Sequence, residues 1–214
     1  CAVELSAQYL DVIKDRLYTS AAADPRRRAA QTACHDIFVA LARLMAPILT
    51  FTAEEAWKHL PGVRGESVHL ERFPEEPPEW LDDTLAREWT RLLEVRREVA
   101  KALETARARG LIGSGLEARV AIRSAPEDVP ELLRAKRALL PTLFIVSQVE
   151  LGGAAGTSAV PYESQEIPGL SIGVDKARGR KCQRCWVWSE RVGEHPEHPG
   201  LCERCVPVVL ALPG

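Results

Sequence analysis

The chain has 214 residues, of which 46% are hydrophobic and 27% charged, a composition typical of soluble globular proteins. No window approaches eighteen uninterrupted apolar residues, and residues 1–20 carry charges throughout, so the sequence predicts neither a membrane span nor a signal peptide. The net charge of −2 excludes a uniformly basic protein. The six cysteines, four of them in one C-terminal motif, are too few and too clustered for a disulfide-held secreted fold, so we expect a cytoplasmic protein.

The first part of the sequence predicts a bundle of helices. Residues 2–17 place apolar side chains on one helical face without a preceding cap, so we expect an N-terminus cut from something longer. Asp24 and Pro25 form a helix start, and Pro47 ends or kinks the helix that follows. The apolar positions that define these two helices are Leu5, Tyr9, Val12, Ile13 and Leu17, then Ala33, Ile37, Ala40, Leu41 and Leu44.

A third short helix and a linker follow. Thr52 and Glu55 have the spacing of a capping box, which predicts a helix running to Leu60. Residues 66–73 favour an extended conformation, and the acidic, proline-rich residues 74–83 are the best candidate for a linker.

A long amphipathic helix is predicted over residues 83–109, and Gly110 is placed to cap its end. Arg96 is the polar residue within its apolar face, and we expect its stem to pack there while its charged end extends to solvent. The other members of that face are Leu85, Trp89, Leu92, Val99, Leu103 and Ala106.

The pattern then changes to short strands around a helix. Residues 116–122, 143–151 and 170–177 favour β-structure, and residues 126–140 favour a helix. A glycine-rich loop, GGAAGTS, separates the second and third strands. These segments predict a small α+β unit with about three strands.

The predicted fold class is therefore mainly α with a small α+β unit. Its expected parts are a helical bundle over 1–73, a linker over 74–83, a long helix with a small mixed sheet over 84–177, and a cysteine module over 178–214.

The cysteine module contains two Cys-x-x-Cys pairs, Cys182 with Cys185 and Cys202 with Cys205, separated by sixteen residues. A tight turn within each pair directs two sulfurs at one ion, and two such turns complete a tetrahedron. The spacing predicts one structural zinc ion with the form of a zinc ribbon or knuckle. Four thiolates leave no position for a reactive water, which argues against a hydrolytic metal.

Other interpretations of this module stay open at the level of residues. Two disulfides fit a reducing compartment poorly, and the sequence does not distinguish zinc from rubredoxin-like iron. His195 and His198 have ligand-like spacing, but we expect them in a turn because four cysteines already fill the site. Trp186 and Trp188 either pack around the metal or expose an indole that stacks on a base.

Several catalytic signatures are absent from the sequence. No P-loop, dinucleotide-binding glycine motif or nucleophile elbow occurs. Cys34 and His35 are adjacent, so on a helix they point about 100° apart and serve poorly as a nucleophile pair. Basic residues concentrate in Arg26–Arg28 and in residues 176–191, which is compatible with phosphate binding or with a solvated surface.

Several stretches taken together resemble bacterial isoleucyl-tRNA synthetases. The anticodon-binding helical domain of that family is resembled by LSAQYLDVIKDRLYTS, RRRAAQTA and MAPILTFTAEEAW. The segments after it are resembled by ESVHLERFPE and VAKALETARARGLIGSGLEARV. The C-terminal zinc module is resembled by GRKCQRCWVWSERVGEHPEHPGLCERC, although a second aromatic at Trp188 departs from the family pattern.

The resemblance implies a C-terminal, tRNA-binding part of a ligase that charges its tRNA with isoleucine using ATP. The two adenylate-site motifs, His-Ile-Gly-His and Lys-Met-Ser-Lys-Ser, do not occur here, so ATP and isoleucine sites and the editing domain would lie upstream in the same polypeptide. It further implies a monomer that binds tRNA and neither DNA nor a membrane. The residues implied to face RNA are Lys14, Arg16, Arg26, Arg27, Arg28, Arg180, Lys181, Arg184 and Trp186.

Competing functions remain at this stage. A DNA glycosylase carries a zinc finger with similar cysteine spacing, but it needs an N-terminal amine nucleophile beside a glutamate, which Cys1 inside a helical pattern does not provide. A zinc-ribbon interaction module would bind no nucleic acid. Valine or leucine synthetases share the helical bundle. Lys14 or Arg16 could also pair with Asp11 or Asp15 within its own helix instead of with RNA.

Overall fold

The computed structural model describes residues 2–62, 65–124, 128–152 and 160–212. The chain divides into two compact units: the helical unit, residues 22–82, and the composite unit, residues 1–21 together with 83–214. The predicted class is confirmed, since helices dominate and a small mixed sheet and a cysteine cluster accompany them. The predicted functional boundaries divide the chain differently from these units, and they stay a prediction.

The composite unit begins with one continuous helical segment. Residues Ala2–Leu10 wind as a π-helix and lead directly into α1, Asp11–Thr19, so the predicted N-terminal helix is confirmed. Ile13 is buried, and Val12 packs against the main apolar core of the unit. The segment therefore belongs to the same core as the sheet that lies more than a hundred residues later in the chain.

The helical unit begins with α2, Pro25–Met45, whose predicted start is confirmed. The Asp24 carboxylate accepts a hydrogen bond of 2.8 Å from the backbone N–H of Arg26. The predicted apolar stripe is wrong in part. Leu44 is 50% exposed, whereas Ala30 and Ala42 are the buried residues of this helix.

The next helix, α3, spans Thr50–Lys58, so the predicted capping box is wrong. Thr52 lies inside the helix, and Leu49 precedes it without a side-chain cap. Glu54, next to the predicted Glu55, accepts a hydrogen bond of 2.8 Å from Ser67 Oγ.

A small core holds the helical unit together. Trp57 is its largest buried side chain, and its indole N–H donates to the Gly65 carbonyl at 3.0 Å. The segment predicted as extended contains a 3₁₀ turn, Val68–Leu70, and pairs with no strand among the described residues. The buried members of this core are Ala42, Ala46, Ala53, Trp57, Leu60 and Val68.

The long helix α4, Asp83–Ala108, is confirmed. Gly110 has a φ of 70°, and the next N–H, of Leu111, bonds back to the Ala106 carbonyl at 3.0 Å, which closes the helix end. Arg96 differs from the prediction: its Nε donates to the Leu143 carbonyl at 2.9 Å instead of extending to water. The buried residues of α4 are Leu92, Val95, Glu98, Val99, Ala102, Leu103 and Ala106.

A four-stranded mixed sheet follows α4. Its strands are β1 (Ala118–Ser124), β2 (Gln148–Leu151), β3 (Val160–Glu163) and β4 (Leu170–Lys176), in the order β2-β1-β4-β3. β1 and β2 are parallel, and the other pairs are antiparallel. The prediction missed β3, an edge strand that carries a proline, and a proline demotes a strand pattern.

Two short helices connect β1 to β2. They are α5, Asp128–Ala135, and α6, Leu140–Phe144, where one longer helix and an early strand were predicted. The prediction of β-structure at 143–147 is wrong because Leu143 and Phe144 complete α6, and Ile145 ends it with a φ of 55°. The start of the predicted helix at 126–127 and most of the glycine-rich loop lie outside the described residues.

One face of the sheet packs on α4, α5 and α6 to form the main core. Val120 and Ile122 of β1 and Ile172 and Val174 of β4 lie on this face and are almost fully buried. Among the described residues, each helix is too short or too polar to cross a lipid bilayer.

The cysteine module is fastened to the sheet by backbone and side-chain hydrogen bonds. Gln148 donates to the Arg178 carbonyl at 3.0 Å and accepts from the Arg178 N–H at 3.0 Å, which forms a closed ring of two bonds. Ser147 Oγ accepts from the backbone N–H of Trp188 at 2.8 Å. Ser147 and Gln148, at the N-terminal end of β2, therefore bind the module at two places, Arg178 and Trp188.

Candidate metal centre and nucleic-acid interface

The four predicted cysteines converge in the cysteine module. A two-stranded hairpin, β5 (Arg180–Lys181) with β6 (Trp188–Ser189), carries the first pair in its turn. The second pair leads into α7, Cys205–Leu210. All four side chains are buried, and their sulfur atoms lie within 4.8 Å of one another.

The sulfur geometry fits a tetrahedral ion. Zinc–sulfur bonds of about 2.3 Å in a tetrahedron place sulfurs about 3.8 Å apart. Cys185 Sγ and Cys202 Sγ are 3.6 Å apart, far beyond the disulfide bond length of about 2.0 Å. The four cysteines are free, so the alternative of two disulfides is wrong.

Backbone groups prepare one of the sulfurs as a thiolate. Burial alone raises the pKa of Cys182, but N–H groups of Cys185, Cys202 and Arg184 donate to its sulfur and lower its pKa to about 6. One of these bonds, from the Cys202 N–H, is 3.3 Å long and links the two Cys-x-x-Cys pairs. A thiolate is the form that binds metal, so these hydrogen bonds favour the ligand state of Cys182, whereas burial raises the pKa of Cys185 and of Cys205.

The two histidines in the loop between the cysteine pairs do not belong to the group of side chains that could hold the metal ion. His195 and His198 stack on each other with their ring centroids 5.5 Å apart. Val192 lies at the start of this loop. It is buried and packs against the cysteines, and it is the only valine among the buried members of this cluster that the structure describes.

Trp186 follows the first pair and occupies an unusual backbone conformation. Its φ is 64°, a left-handed value that a bulky residue rarely adopts, and its side chain is 60% exposed. The Lys181 ammonium lies 5.4 Å from the centre of its ring, within the range of a cation–π interaction. An exposed indole and an adjacent cation form a surface suited to an unstacked base and a phosphate.

Trp188 behaves differently from Trp186. It is half-buried, pairs with Lys181 in the hairpin and donates its backbone N–H to Ser147 Oγ, next to β2. Its indole nitrogen is buried and has no hydrogen-bond partner in the part of the chain that the structure describes. Packing is therefore the role that the structure supports for Trp188.

The other predicted basic residues of the module point in different directions. Arg180 is exposed, and its guanidinium donates to the Val192 carbonyl. Arg184 is half-buried, and its Nη1 donates to the Thr19 carbonyl at 2.6 Å and to Cys205 Sγ at 3.6 Å. An RNA contact for Arg184 stays a prediction. RNA would have to bind a guanidinium that already donates hydrogen bonds to Thr19 and Cys205.

Two further predicted residues lie on α1. Lys14 is exposed, and its ammonium contacts Asp11 at 2.8 Å, so the pairing within its own helix occurs. The hydrogen bond from Asp11 raises the pKa of Lys14, which stays a cation. Arg16 lies two residues along and is half-buried.

The remaining predicted cations, Arg26–Arg28, lie in the helical unit at the start of α2. Arg26 and Arg28 are exposed and Arg27 is half-buried. Arg26 contacts the capping carboxylate of Asp24 at 3.2 Å. These three residues therefore surround a helix N-terminus, where backbone N–H groups and the helix dipole favour an anion.

Sequence reasoning did not find two residues that bind the module to α1. Arg204 donates two hydrogen bonds of 2.8 Å to the carboxylate of Asp15. The only signal was an arginine between the cysteines of the second pair, and its partner lies 189 positions earlier. Hydrogen bonding to Asp15 and, more weakly, to Cys185 raises the pKa of Arg204.

Comparison with known families agrees with this geometry. Residues 1–122 match the family described as the anticodon-binding domain of tRNA ligase, and residues 179–208 match the zinc finger found in FPG and IleRS. The zinc-finger match and the converging sulfurs identify one structural zinc ion as the cofactor of the module.

Individual relatives match almost the whole chain. The isoleucine–tRNA ligase of Syntrophotalea carbinolica is 47% identical over 98% of this chain, and that of Symbiobacterium thermophilum is 48% identical over 99%. The Geobacter sulfurreducens ligase is 44% identical over 98% of it. The chain spans 22–23% of the length of these curated relatives.

The helices of residues 1–122 and the zinc finger that follows them are thus shared, in order, with known ligases. The chain belongs to the family of anticodon-binding domains of tRNA ligases.

Proposed function

We propose that this chain is the C-terminal tRNA-binding part of an isoleucine–tRNA ligase and that it docks the anticodon stem-loop of isoleucine tRNA. The observation that carries the proposal is the 44–48% identity to isoleucine–tRNA ligases along 98–99% of the chain. In the whole protein, docking would hold the tRNA while an upstream domain charges it with isoleucine at the expense of ATP.

The binding surface proposed for the cysteine module centres on Trp186 and Lys181. Sequence-specific RNA recognition targets unstacked bases, which stack on aromatic side chains while cations contact the phosphates. The exposed indole offers a face to such a base, and Arg180 lies next to Lys181 in β5. Zinc, held by Cys182, Cys185, Cys202 and Cys205, would keep the hairpin that presents these groups in shape.

Further phosphate contacts are proposed for the helices. Lys14 and Arg16 of α1 and the arginines at the N-terminus of α2, Arg26–Arg28, supply positive charge at helix positions that RNA can approach. Functionally we retain the predicted division: the anticodon-binding helices are residues 1–73, the linker 74–83, the junction 84–177 and the zinc module 178–214.

Catalysis is proposed to lie elsewhere in the polypeptide. Neither adenylate motif occurs in these 214 residues, and the single methionine, Met45, excludes the second. We expect the isolated chain to be an inactive monomer that works in the cytoplasm beside upstream catalytic and editing domains and does not bind DNA. The test is an aminoacylation assay with the chain alone, which should give no charged tRNA.

A binding experiment tests the main proposal. The purified chain should bind transcribed isoleucine tRNA more tightly than valine tRNA or duplex DNA, and its affinity should fall steeply with salt, as phosphate contacts require. Trp186→Ala should weaken binding about tenfold, since stacking contributes about 1–3 kcal/mol per base. Arg191→Ala removes an exposed cation bonded to Glu194 in the same module and serves as the matched control.

The outcomes separate the candidate functions. Equal binding of duplex DNA and tRNA would favour the glycosylase-like reading of the zinc finger, and absence of binding to either at low salt would favour a protein-interaction module. Loss of tRNA affinity in Arg191→Ala as large as in Trp186→Ala would contradict the assigned surface.

A further inference from the structure

The C-terminal end of α1 is held by the cysteine module at two points. Asp15 receives both hydrogen bonds of the Arg204 guanidinium, each 2.8 Å long. One helical turn later, the Thr19 carbonyl accepts a 2.6 Å bond from Arg184 Nη1. Thr19 ends α1, so its carbonyl has no partner within the helix and a guanidinium is well suited to cap it.

The two points on α1 are also joined to each other. The Thr19 hydroxyl donates to the Asp15 carbonyl oxygen at 2.7 Å and to its carboxylate at 3.1 Å. A bidentate arginine–carboxylate pair fixes both distance and orientation, which a single bond does not. The end of α1 therefore has a defined position relative to the second cysteine pair.

The same two arginines reach the sulfur cluster. Nη1 of Arg184, the atom bonded to Thr19, also donates to Cys205 Sγ at 3.6 Å. Asp15 and, more weakly, Cys185 raise the pKa of Arg204, so this guanidinium stays a cation beside the sulfur cluster. Arg184 thus joins a sulfur of the second pair to Thr19, and Arg204, which lies between the two cysteines of that pair, is bonded to Asp15.

Charge gives this arrangement a function. A divalent ion with four thiolates carries a net charge of about −2, and a buried negative charge is costly without nearby cations and hydrogen bonds. Second-shell donors of this kind orient the ligands and tune metal affinity. Neutral thiols would be weaker acceptors, so the thiolates that the metal assembles hold a guanidinium more firmly in the position from which it reaches α1.

We propose that Arg184 and Arg204 are positioning residues of the metal centre that couple zinc binding by the four cysteines to the docking of the C-terminal end of α1. The zinc ion then does more than fold its own module, because it also fixes a helix at the other end of the chain. This coupling involves only zinc and α1 and does not depend on RNA binding.

Zinc release and hydrogen exchange test the coupling in the purified 214-residue chain. Zinc transfer to a chromogenic chelator should be about tenfold faster in Arg184→Ala and in Arg204→Ala, the size expected for loss of a second-shell donor. In the parent protein, chelation should raise amide hydrogen exchange in residues 15–20. The two variants should show raised exchange there even when loaded with zinc.

Further variants separate positioning from general stability. Asp15→Asn removes the charge on α1 but leaves both arginines at the sulfurs, so it should raise exchange at 15–20 and, because coupling is reciprocal, speed zinc release, though by less than the two alanine variants. Arg204→Lys keeps the cation without the bidentate fork and should restore slow release only in part. In cobalt-loaded protein, the thiolate-to-metal absorption band should shift in the arginine variants and not in the Arg191→Ala control.

Two results would overturn the proposal. One is zinc release at the parent rate in both alanine variants. The other is exchange at residues 15–20 that chelation leaves unchanged while the knuckle amides lose their protection. A variant that fails to fold is recognised by raised exchange in β1, and the lysine variant then decides.

Discussion

The cysteine module and the sheet core of the composite unit hold a chain together in opposite ways. The sheet core distributes its burial over branched aliphatic side chains of α4, α5, α6 and three strands. The module has four cysteines and Val192 as its buried side chains among the described residues. Cohesion in the first is spread over many contacts, whereas in the second it rests on one centre. The two regions should therefore respond very differently to a single substitution.

Removal of a sulfur should produce the largest effect. Cys202→Ser should abolish zinc binding and unfold residues 178–212, because a structural zinc contributes on the order of 10 kcal/mol to folding. Zinc content by mass spectrometry and amide exchange should show a module without protection beside a protected β1. Cys34→Ser, at a free cysteine outside the cluster, is the control and should keep one zinc per chain. Retained zinc in Cys202→Ser would contradict the four-cysteine site.

A cavity in the sheet core should cost less and leave the metal in place. Leu170 of β4 is fully buried, and Leu170→Ala should lower the free energy of unfolding by about 2–5 kcal/mol. Denaturant titration followed by circular dichroism measures the loss, and zinc content should stay at one per chain. Leu85→Ala, at a residue 46% exposed, should cost much less. Equal losses in the two variants would show that Leu170 does not lie in the core.

A buried charge makes the sheet core sensitive to pH. The Glu98 side chain is fully buried and accepts from Lys101 at 2.8 Å and from the Tyr162 hydroxyl at 3.0 Å. Burial raises its pKa, but hydrogen bonds from Lys101, Ser164 and Tyr162 outweigh burial, so the pKa of Glu98 lies below the ordinary value of 4.5. The ionised carboxylate therefore stabilises the fold above that pH, and this contribution disappears as the pH falls through the lowered pKa.

Glu98→Gln should remove this dependence. At neutral pH it should lower the free energy of unfolding by about 1–3 kcal/mol, since Lys101 and Tyr162 lose a charged acceptor. Below pH 4.5 its stability should fall less steeply with acid than that of the parent. Glu104→Gln, at an exposed carboxylate bonded to Arg107, should follow the parent curve. Parallel curves for parent and Glu98→Gln would contradict the prediction.

The smallest effect should have the opposite sign. Trp186→Gly relieves a left-handed backbone that costs a bulky residue about 1–2 kcal/mol, while it gives up a cation–π contact worth about 0.5–1 kcal/mol. We expect the module to become more stable by up to about 1 kcal/mol, measured by denaturation of cobalt-loaded protein. Trp188→Gly removes a packed side chain and should destabilise it. A loss of stability in Trp186→Gly would show that the indole supports the fold.

The helices were largely predictable because their signals are local. Asp24 caps α2 and Gly110 ends α4 as expected, and the two Cys-x-x-Cys pairs converge as their spacing predicted. The errors occurred where a distant partner decides. Arg96 bonds to the Leu143 carbonyl instead of extending to solvent, and Tyr162 brings the proline-containing edge strand to Glu98.

The candidate site divides in the same way. The sulfur ligands follow from spacing alone, whereas the bonds from Arg204 to Asp15 and from Arg184 to Thr19 cross more than 160 positions and have no local pattern. Charge clustering drew attention to Arg184 as an RNA contact, but clustering does not reveal which groups face inward. The RNA-facing role of the basic residues stays a prediction that binding experiments must test.

The ring of two hydrogen bonds between Gln148 and Arg178 has a consequence for how this chain tolerates changes in length. Only three residues, 177–179, separate β4 from β5, and Gly179 has a φ of 88° with no room for a Cβ, which would lie 2.3 Å from the Ser189 carbonyl oxygen. One inserted residue would move Arg178 by about 3.3 Å, more than a hydrogen bond can stretch. The length of the connector between β4 and β5 is therefore fixed by the structure at its two ends.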